Sequence, residues 1–209
     1  MNLIHKFKSL MNKGRLFLDK NFYPQYLRNQ GVKVGKDTII LYPSYIDGRL
    51  PYLVEIGDNV VISLNVTILT HDATTAFAGD MIKVGRVTIG NHCFIGTNST
   101  ILCNVEIGEN SIVGAGSLIN RDIQPNSVFA GNPARFVCST EQFIRKHKEW
   151  GEIFPLFEGK GFESTCVENH KKEALKKQLD KTFGYFCDHL PIGSQSNLNI
   201  DELRNLGAI

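Results

Sequence analysis

Aliphatic residues recur every six positions along the middle of the chain. Ile89, Ile95, Ile101, Ile107, Val113 and Ile119 form one run, and Gly90, Gly96, Gly108 and Gly114 follow four of them. Four residues after each aliphatic stand Cys93, Ser99, Val105, Ser111, Ser117 and Ile123, which are mostly small. A second block, in another register, holds Ile56, Ile62 and Ile68, with Val60 and Val66 at the small position. A third holds Val34, Ile40 and Ile46, with Thr38 and Ser44. Six residues make one short strand and one turn, and three such units make a triangular coil of about 18 residues that stacks on its neighbours. In such a coil the aliphatics point inward and stack. The small residues also point inward, near the corners. Glycine at the turn supplies backbone angles that other residues avoid. The pattern predicts a mainly β fold, a parallel β-helix over residues 34–137. Spacing alone leaves the hand of the coil open, and the general right-handed crossover preference would disfavour a left-handed one.

The rhythm breaks twice. Four extra residues lie between Ile46 and Ile56, around Gly48 to Pro51, and Ile68 and Ile89 are 21 apart, three off register. The segment 73–86 is therefore predicted to leave the coil as a loop, and loops ejected from a rigid scaffold are where function concentrates. The flanks have a different pattern. Leu3, Ile4, Phe7, Leu10 and Met11 lie at helical spacing, so residues 2–29 read as helical or partly so, and residues 1–33 as an N-terminal cap. Residues 138–209 read as a helical extension, with helices over Glu141–Glu149, His170–Phe183 and near Asp201–Leu206. A helix at each end would cover the open strand edges of the end coils.

Composition narrows the function classes. Of 209 residues, 42% are hydrophobic and 21% charged, which fits a folded globular chain. A formal net charge of +2 makes no case for nucleic acid. The five cysteines are odd in number and contain no C-x-x-C pair, so reduced, mostly buried thiols in a cytoplasmic protein are expected rather than disulfides or a zinc ribbon. No apolar run approaches the about 20 residues of a membrane span, and the N-terminus lacks a signal peptide's features. Seven basic residues against Asp19 alone in residues 1–33 fit either a cap with its cations outside or a peripheral contact with the inner face of an anionic membrane.

Three stretches carry a family resemblance: IGDNVVISLNVTILTHD (Ile56–Asp72), VTIGNHCFIGTNSTIL (Val87–Leu102) and VEIGENSIVGAGSLINRDIQPNSVFAGNPARFV (Val105–Val137). They resemble the hexapeptide-repeat acetyltransferases, in particular the branch of maltose, galactoside and polysaccharide O-acetyltransferases. The resemblance implies a left-handed parallel β-helix, a homotrimer with the active site between neighbouring subunits, acetyl-CoA as co-substrate and no metal. It implies His71 as general base. A sugar hydroxyl is a poor nucleophile until its proton is removed, and imidazole titrates near neutrality. Asn65 matches a family asparagine of the substrate cleft, and otherwise suits a coil corner. Asp72 would either hydrogen-bond the sugar acceptor or start the loop. Phe94 stands where the family usually has Trp, keeping an aromatic wall beside the acceptor but losing the indole N–H. For acetyl-CoA the resemblance implies Thr97, whose backbone N–H could face the thioester oxygen, Ala115 beside the pantetheine, and Asn120, Arg121 and Arg135, the last near the phosphates.

The implied activity is transfer of acetyl from acetyl-CoA to a sugar hydroxyl, in polysaccharide or lipopolysaccharide biosynthesis. Acetylation of a nucleotide-linked amino sugar or of serine is the near alternative. A carbonic-anhydrase-like metal protein would need further histidines, yet Thr97 stands five residues after His92. A bare trimeric scaffold would not need His71 with the GAGS and GNPAR segments.

Overall fold

The computed structural model describes residues 22–158 and 169–187. The chain divides into two compact units, Met1–Thr140 and Glu141–Ile209. After helix α1 (Phe22–Asn29), the first unit winds through short strands, three to a coil. Coil one holds β1 (Lys33–Val34), β2 (Ile39–Ile40) and β3 (Tyr45–Ile46); coil two holds β4 (Val54–Ile56), β5 (Val61–Ile62) and β6 (Thr67–Ile68). An arm made of β7 (His71–Asp72) and β8 (Lys83–Val84) follows. Coil three holds β9 (Val87–Ile89), β10 (Phe94–Ile95) and β11 (Thr100–Ile101); coil four holds β12 (Val105–Ile107), β13 (Ile112–Val113) and β14 (Leu118–Ile119). Strands β15 (Ser127–Ala130) and β16 (Arg135–Ser139) close the unit.

Equivalent strands of successive coils pair in parallel into three sheets: β1-β4-β9-β12, then β2-β5-β10-β13-β15, then β3-β6-β11-β14. The expected β-helix is the architecture found. Of the twelve inward aliphatics read from the sequence, all but the half-buried Val34 are buried, most of them at 0–2% exposure. Each such side chain contributes about 1.5–3 kcal/mol by leaving water. The small position serves a second purpose. Thr38, Ser99, Ser111 and Ser117 are buried there, and each hydroxyl donates to a backbone carbonyl, as Thr38 Oγ1 does to Gly57 O at 2.7 Å. Cys93 takes the same place and donates to Gly108 O at 3.2 Å, and burial pushes its thiol up to about 11. Cys93 and Cys103 are buried free thiols and Cys138 is a half-buried one.

The glycines after the aliphatics do not supply the unusual backbone angles expected of them. Those angles belong to Asp37, Asn59, Asn65, His92, Asn98, Asn104, Asn110 and Asn126, all at φ between 52° and 62°. Short polar side chains tolerate this left-handed region better than other non-glycine residues. The glycines serve close stacking instead: a Cβ on Gly90 would lie 2.6 Å from Glu109 N, and one on Gly108 would lie 2.4 Å from Pro125 N.

Register partners are 22 residues apart from coil one to two, 33 from two to three, 18 from three to four and 16 onto the last partial turn. All of this variation falls at one corner, where the chain leaves the third sheet and returns to the first. The other two corners keep the six-residue step throughout. The return corner is therefore the place where the prism tolerates insertions.

The two ends close differently. At the first coil, Tyr23 and Leu27 of α1 are buried in the core, and Arg28 donates to Val34 O at 3.0 Å and Gly35 O at 2.7 Å, satisfying carbonyls of the open edge. At the other end the chain does not pass straight into a helix. It turns at Gly131–Pro133, and β16 comes back antiparallel against β15, so a strand takes the open edge of the second sheet.

In the second unit, α2 (Thr140–Ile153) is followed by β17 (Leu156–Glu158), α3 (Asn169–Gln178) and β18 (Tyr185–Cys187), with β17 and β18 parallel. The helix expected over His170–Phe183 stops at Gln178, and the chain then turns so that the Phe183 ring meets Trp150 at 5.4 Å. Residues 2–21 and the helix expected near Asp201–Leu206 lie outside the described residues. Among the described residues no helix is long and apolar enough to cross a membrane.

Candidate active site

The return corner brings Asp47, Thr70 and His71 together. Ile46 and Ile68 are register partners, so the residues that follow them stack as well. Asp47 N donates to Ile68 O at 2.9 Å, which brings Asp47 against Thr70 and His71 although they lie 23 and 24 residues further on. The Asp47 side chain is wholly buried, at 0% exposure. Its Oδ2 accepts from Thr70 N at 3.0 Å, from Thr70 Oγ1 at 2.7 Å and from His71 Nδ1; its Oδ1 accepts from Arg49 N at 3.0 Å. Burial alone would raise its pKa. The Thr70 hydroxyl, the Arg49 and Thr70 backbone N–H groups and the His71 ring together outweigh burial and hold it at about 2. An ionised carboxylate only accepts hydrogen bonds, so Nδ1 of His71 carries a proton and Nε2 lies on the opposite side of the ring. The His71 side chain is 23% exposed.

The arm begins at the same residues. His71 pairs with Val84 and Asp72 with Lys83, and Gly85 N donates to Thr70 O at 2.9 Å. Asp72 Oδ1 accepts from Thr74 N at 2.9 Å and from Thr74 Oγ1 at 2.7 Å, which starts the 3-10 turn Ala73–Ala78. The Thr74 hydroxyl first, and then its backbone N–H, hold the Asp72 carboxyl below the usual range. Of the two roles open to Asp72 in the sequence, the geometry displays the loop-starting one.

The remaining candidates lie at two corners of the prism, apart from Phe94 and Arg135. Asn65, Thr97 and Ala115 lie at the corner between the second and third sheets, with Thr97 and Ala115 in the column of Leu64 and Asn65 in that of Asn98; there Asn98 N donates to Leu64 O at 3.0 Å and Gly116 N to Thr97 O at 2.8 Å. Asn65 is exposed at φ 57°, in the same backbone state as the other corner asparagines. Asn120 and Arg121 are exposed at the return corner, two coils below His71. The outer face of the third sheet, formed by Tyr45, Thr67, Thr100 and Leu118, runs between these corners. Phe94 lies away from that strip, half-buried on the outer side of the second sheet. Arg135 is exposed in β16, with its guanidinium donating to Ala134 O at 2.9 Å. His92 occupies a left-handed corner at φ 56°. Among the described residues no group of three His, Cys, Asp or Glu side chains is placed to hold a metal ion.

Asp47 was not singled out from the sequence. The available signal was positional: both register breaks follow the third aliphatic of a coil, with an acid opening one insertion and a Thr-His pair opening the next.

Comparison with known proteins gives the site its context. A family model described as bacterial transferase hexapeptide (six repeats) matches residues 86–121. The Bacillus subtilis (strain 168) protein named "Putative acetyltransferase YvoF" is 33% identical over 130 residues, 62% of this chain and 72% of that protein. Galactoside O-acetyltransferase of Escherichia coli (strain K12) is 42% identical over 92 residues, 41% of this chain and 44% of that enzyme. A solved structure of a galactoside acetyltransferase in complex with coenzyme A is 25% identical, covers 69% of this chain and 86% of its own, and superposes with a TM-score of 0.50.

Proposed function

The chain belongs to the hexapeptide-repeat acetyltransferases, and from that membership we propose that it transfers acetyl from acetyl-CoA to a hydroxyl of a sugar in polysaccharide or lipopolysaccharide biosynthesis. The observation that carries this reading is a histidine held by a buried, ionised carboxylate at the root of the ejected arm, beside the third sheet. In this mechanism Nε2 of His71 takes the proton of the acceptor hydroxyl as its oxygen forms the new C–O bond to the thioester carbonyl. The backbone N–H of Thr97 stabilises the developing oxyanion. The C–S bond then breaks, and the imidazolium returns its proton to the departing thiolate. Asn120, Arg121 and Arg135 meet the nucleotide end of the co-substrate, and the small side chain of Ala115 lets the pantetheine lie close to the backbone.

A homotrimer completes the site in this reading. One chain keeps Phe94 away from the strip beside His71, and a neighbouring copy would supply what the strip lacks. The test is incubation of the full chain with labelled acetyl-CoA and a panel of free, nucleotide-linked and glycosidic sugars, alongside His71→Ala. Label should appear in a sugar ester, and the variant should lose transfer while still binding acetyl-CoA. Undiminished turnover in His71→Ala would remove the proposal.

A further inference from the structure

We propose that the acceptor is a glycan of at least two sugar rings, and that Tyr45 is the platform on which the ring next to the acetylated one stacks. The inference rests on the acetyl-transfer reading and narrows its acceptor. The outer face of the third sheet presents Tyr45, Thr67, Thr100 and Leu118, one from each coil in order. Tyr45 is 55% exposed while Ile46 beside it is buried, so the phenol points out of the prism onto this face. Thr67 and Thr100 are short and half-buried. The face is therefore low over coils two and three, and the ring of Tyr45 rises as a step at its coil-one end.

The order of residues along the prism gives that step a use. In the proposed reading the co-substrate takes the other end, with Asn120, Arg121 and Ala115 on coil four and Thr97 on coil three. His71 leaves coil two. The acetyl group then arrives from the coil-four side and the acceptor hydroxyl from the coil-one side, where Tyr45 is the next side chain of the strip. Adjacent coils stand one strand spacing apart, so Tyr45 lies two steps, about 10 Å, beyond the coil of Thr97. That span places the acetylated ring level with coil two and the ring linked to it level with Tyr45. A pyranose has a flat face of C–H groups and a polar rim, and an outward tyrosine matches both with an apolar body and a hydroxyl tip. The other exposed aromatic rings stand elsewhere. Tyr26 stacks on Tyr23 at 6.1 Å in α1, Tyr52 lies beside Gly31 in the short insertion, and Phe77 is on the arm. Among the described residues Tyr45 is the aromatic side chain of the strip itself.

The test pairs methyl β-galactoside with methyl β-lactoside, and methyl α-glucoside with methyl α-maltoside, in assays of the full chain with labelled acetyl-CoA. For at least one pair kcat/KM should be about five- to ten-fold higher with two rings, the order expected of one stacked ring, and the gain should lie in KM for the sugar. Tyr45→Thr, which copies the neighbouring coils, should bring that ratio within about two-fold of unity, and Tyr45→Phe should keep it. Tyr52→Ala should keep it too, and KM for acetyl-CoA should not change in any variant. A wild type without the two-ring preference, or a preference that survives in Tyr45→Thr, would overturn the proposal. So would a Tyr45-dependent gain from octyl β-galactoside with none from the second sugar, which would mark an apolar tail as the occupant. Saturation-transfer NMR with coenzyme A present needs no turnover. Irradiating the protein's aromatic protons should saturate one ring of a two-ring acceptor more than the other, and Tyr45→Thr should abolish the difference. Equal saturation of both rings in wild type, or none, would overturn the platform whether or not the variants fold. A wild type that shows the unequal pattern but transfers no acetyl group would sink the functional reading alone.

Discussion

Two kinds of corner hold the same prism together. At the corner entering the second sheet, Asp37, Asn59, His92, Asn110 and Asn126 repeat one backbone state, and the six-residue step from the first sheet to the second never changes. At the return corner the step varies with every coil, and Asp47, Thr70 and His71 meet there. The first corner is chosen by stacking: whatever occupies it must adopt a left-handed turn without disturbing the sheets. The second is free of that demand, so its residues can be chosen for chemistry. The contrast also explains why His92 and His71 differ so sharply. One is a turn residue that happens to be histidine; the other has a buried carboxylate on its ring.

Substitutions at the two corners and in the buried column test the contrast. His71→Ala should cut the transfer rate about 10²–10⁴-fold, roughly 3–5 kcal/mol of barrier, with little change in thermal stability. His92→Asn, which keeps the turn, should leave the rate unaltered in the same assay. Ile101→Ala, in the buried column, should lower unfolding free energy by about 2–5 kcal/mol in urea titrations. Acid should act chiefly through the return corner. The Asp47 carboxyl sits at about 2 when folded, below its ordinary unfolded range. Its contribution is therefore complete above about pH 4 and lost as pH falls toward 2, amounting to about 2–3 kcal/mol. Urea midpoints of wild type and Asp47→Asn should converge over that interval. Asn98→Val, at φ 60°, should cost about 1–2 kcal/mol, while Asn98→Gly should be nearly neutral. A large loss in Asn98→Gly would mean the asparagine side chain, not its backbone state, is what that corner needs.

Much of the prism was legible because its signal is local and repeated. Ile89, Ile95 and Ile101 announce the inward column by spacing alone, and the same spacing displays the breaks at Ile46 and Ile68. The turn residues were visible but misassigned. Glycine has the wider conformational freedom, yet Asn takes the strained corners, because the glycines are needed where one coil's backbone touches the next. His71 could be picked out from its position at the mouth of the longer insertion. Asp47 could not, since nothing near it in the chain resembles a catalytic neighbourhood.

By itself the sequence determined the period, the buried column and the corner at which insertions leave, because each depends on residues only six positions apart and on burying aliphatic surface. The tertiary structure decided the contacts of the ring. Only when coil two stacks on coil one does a carboxylate 24 residues upstream of His71 come within hydrogen-bonding reach of Nδ1 and select the nitrogen that faces outward. Such a contact depends on the lengths of two insertions and the register between two coils, and no local pattern encodes their sum.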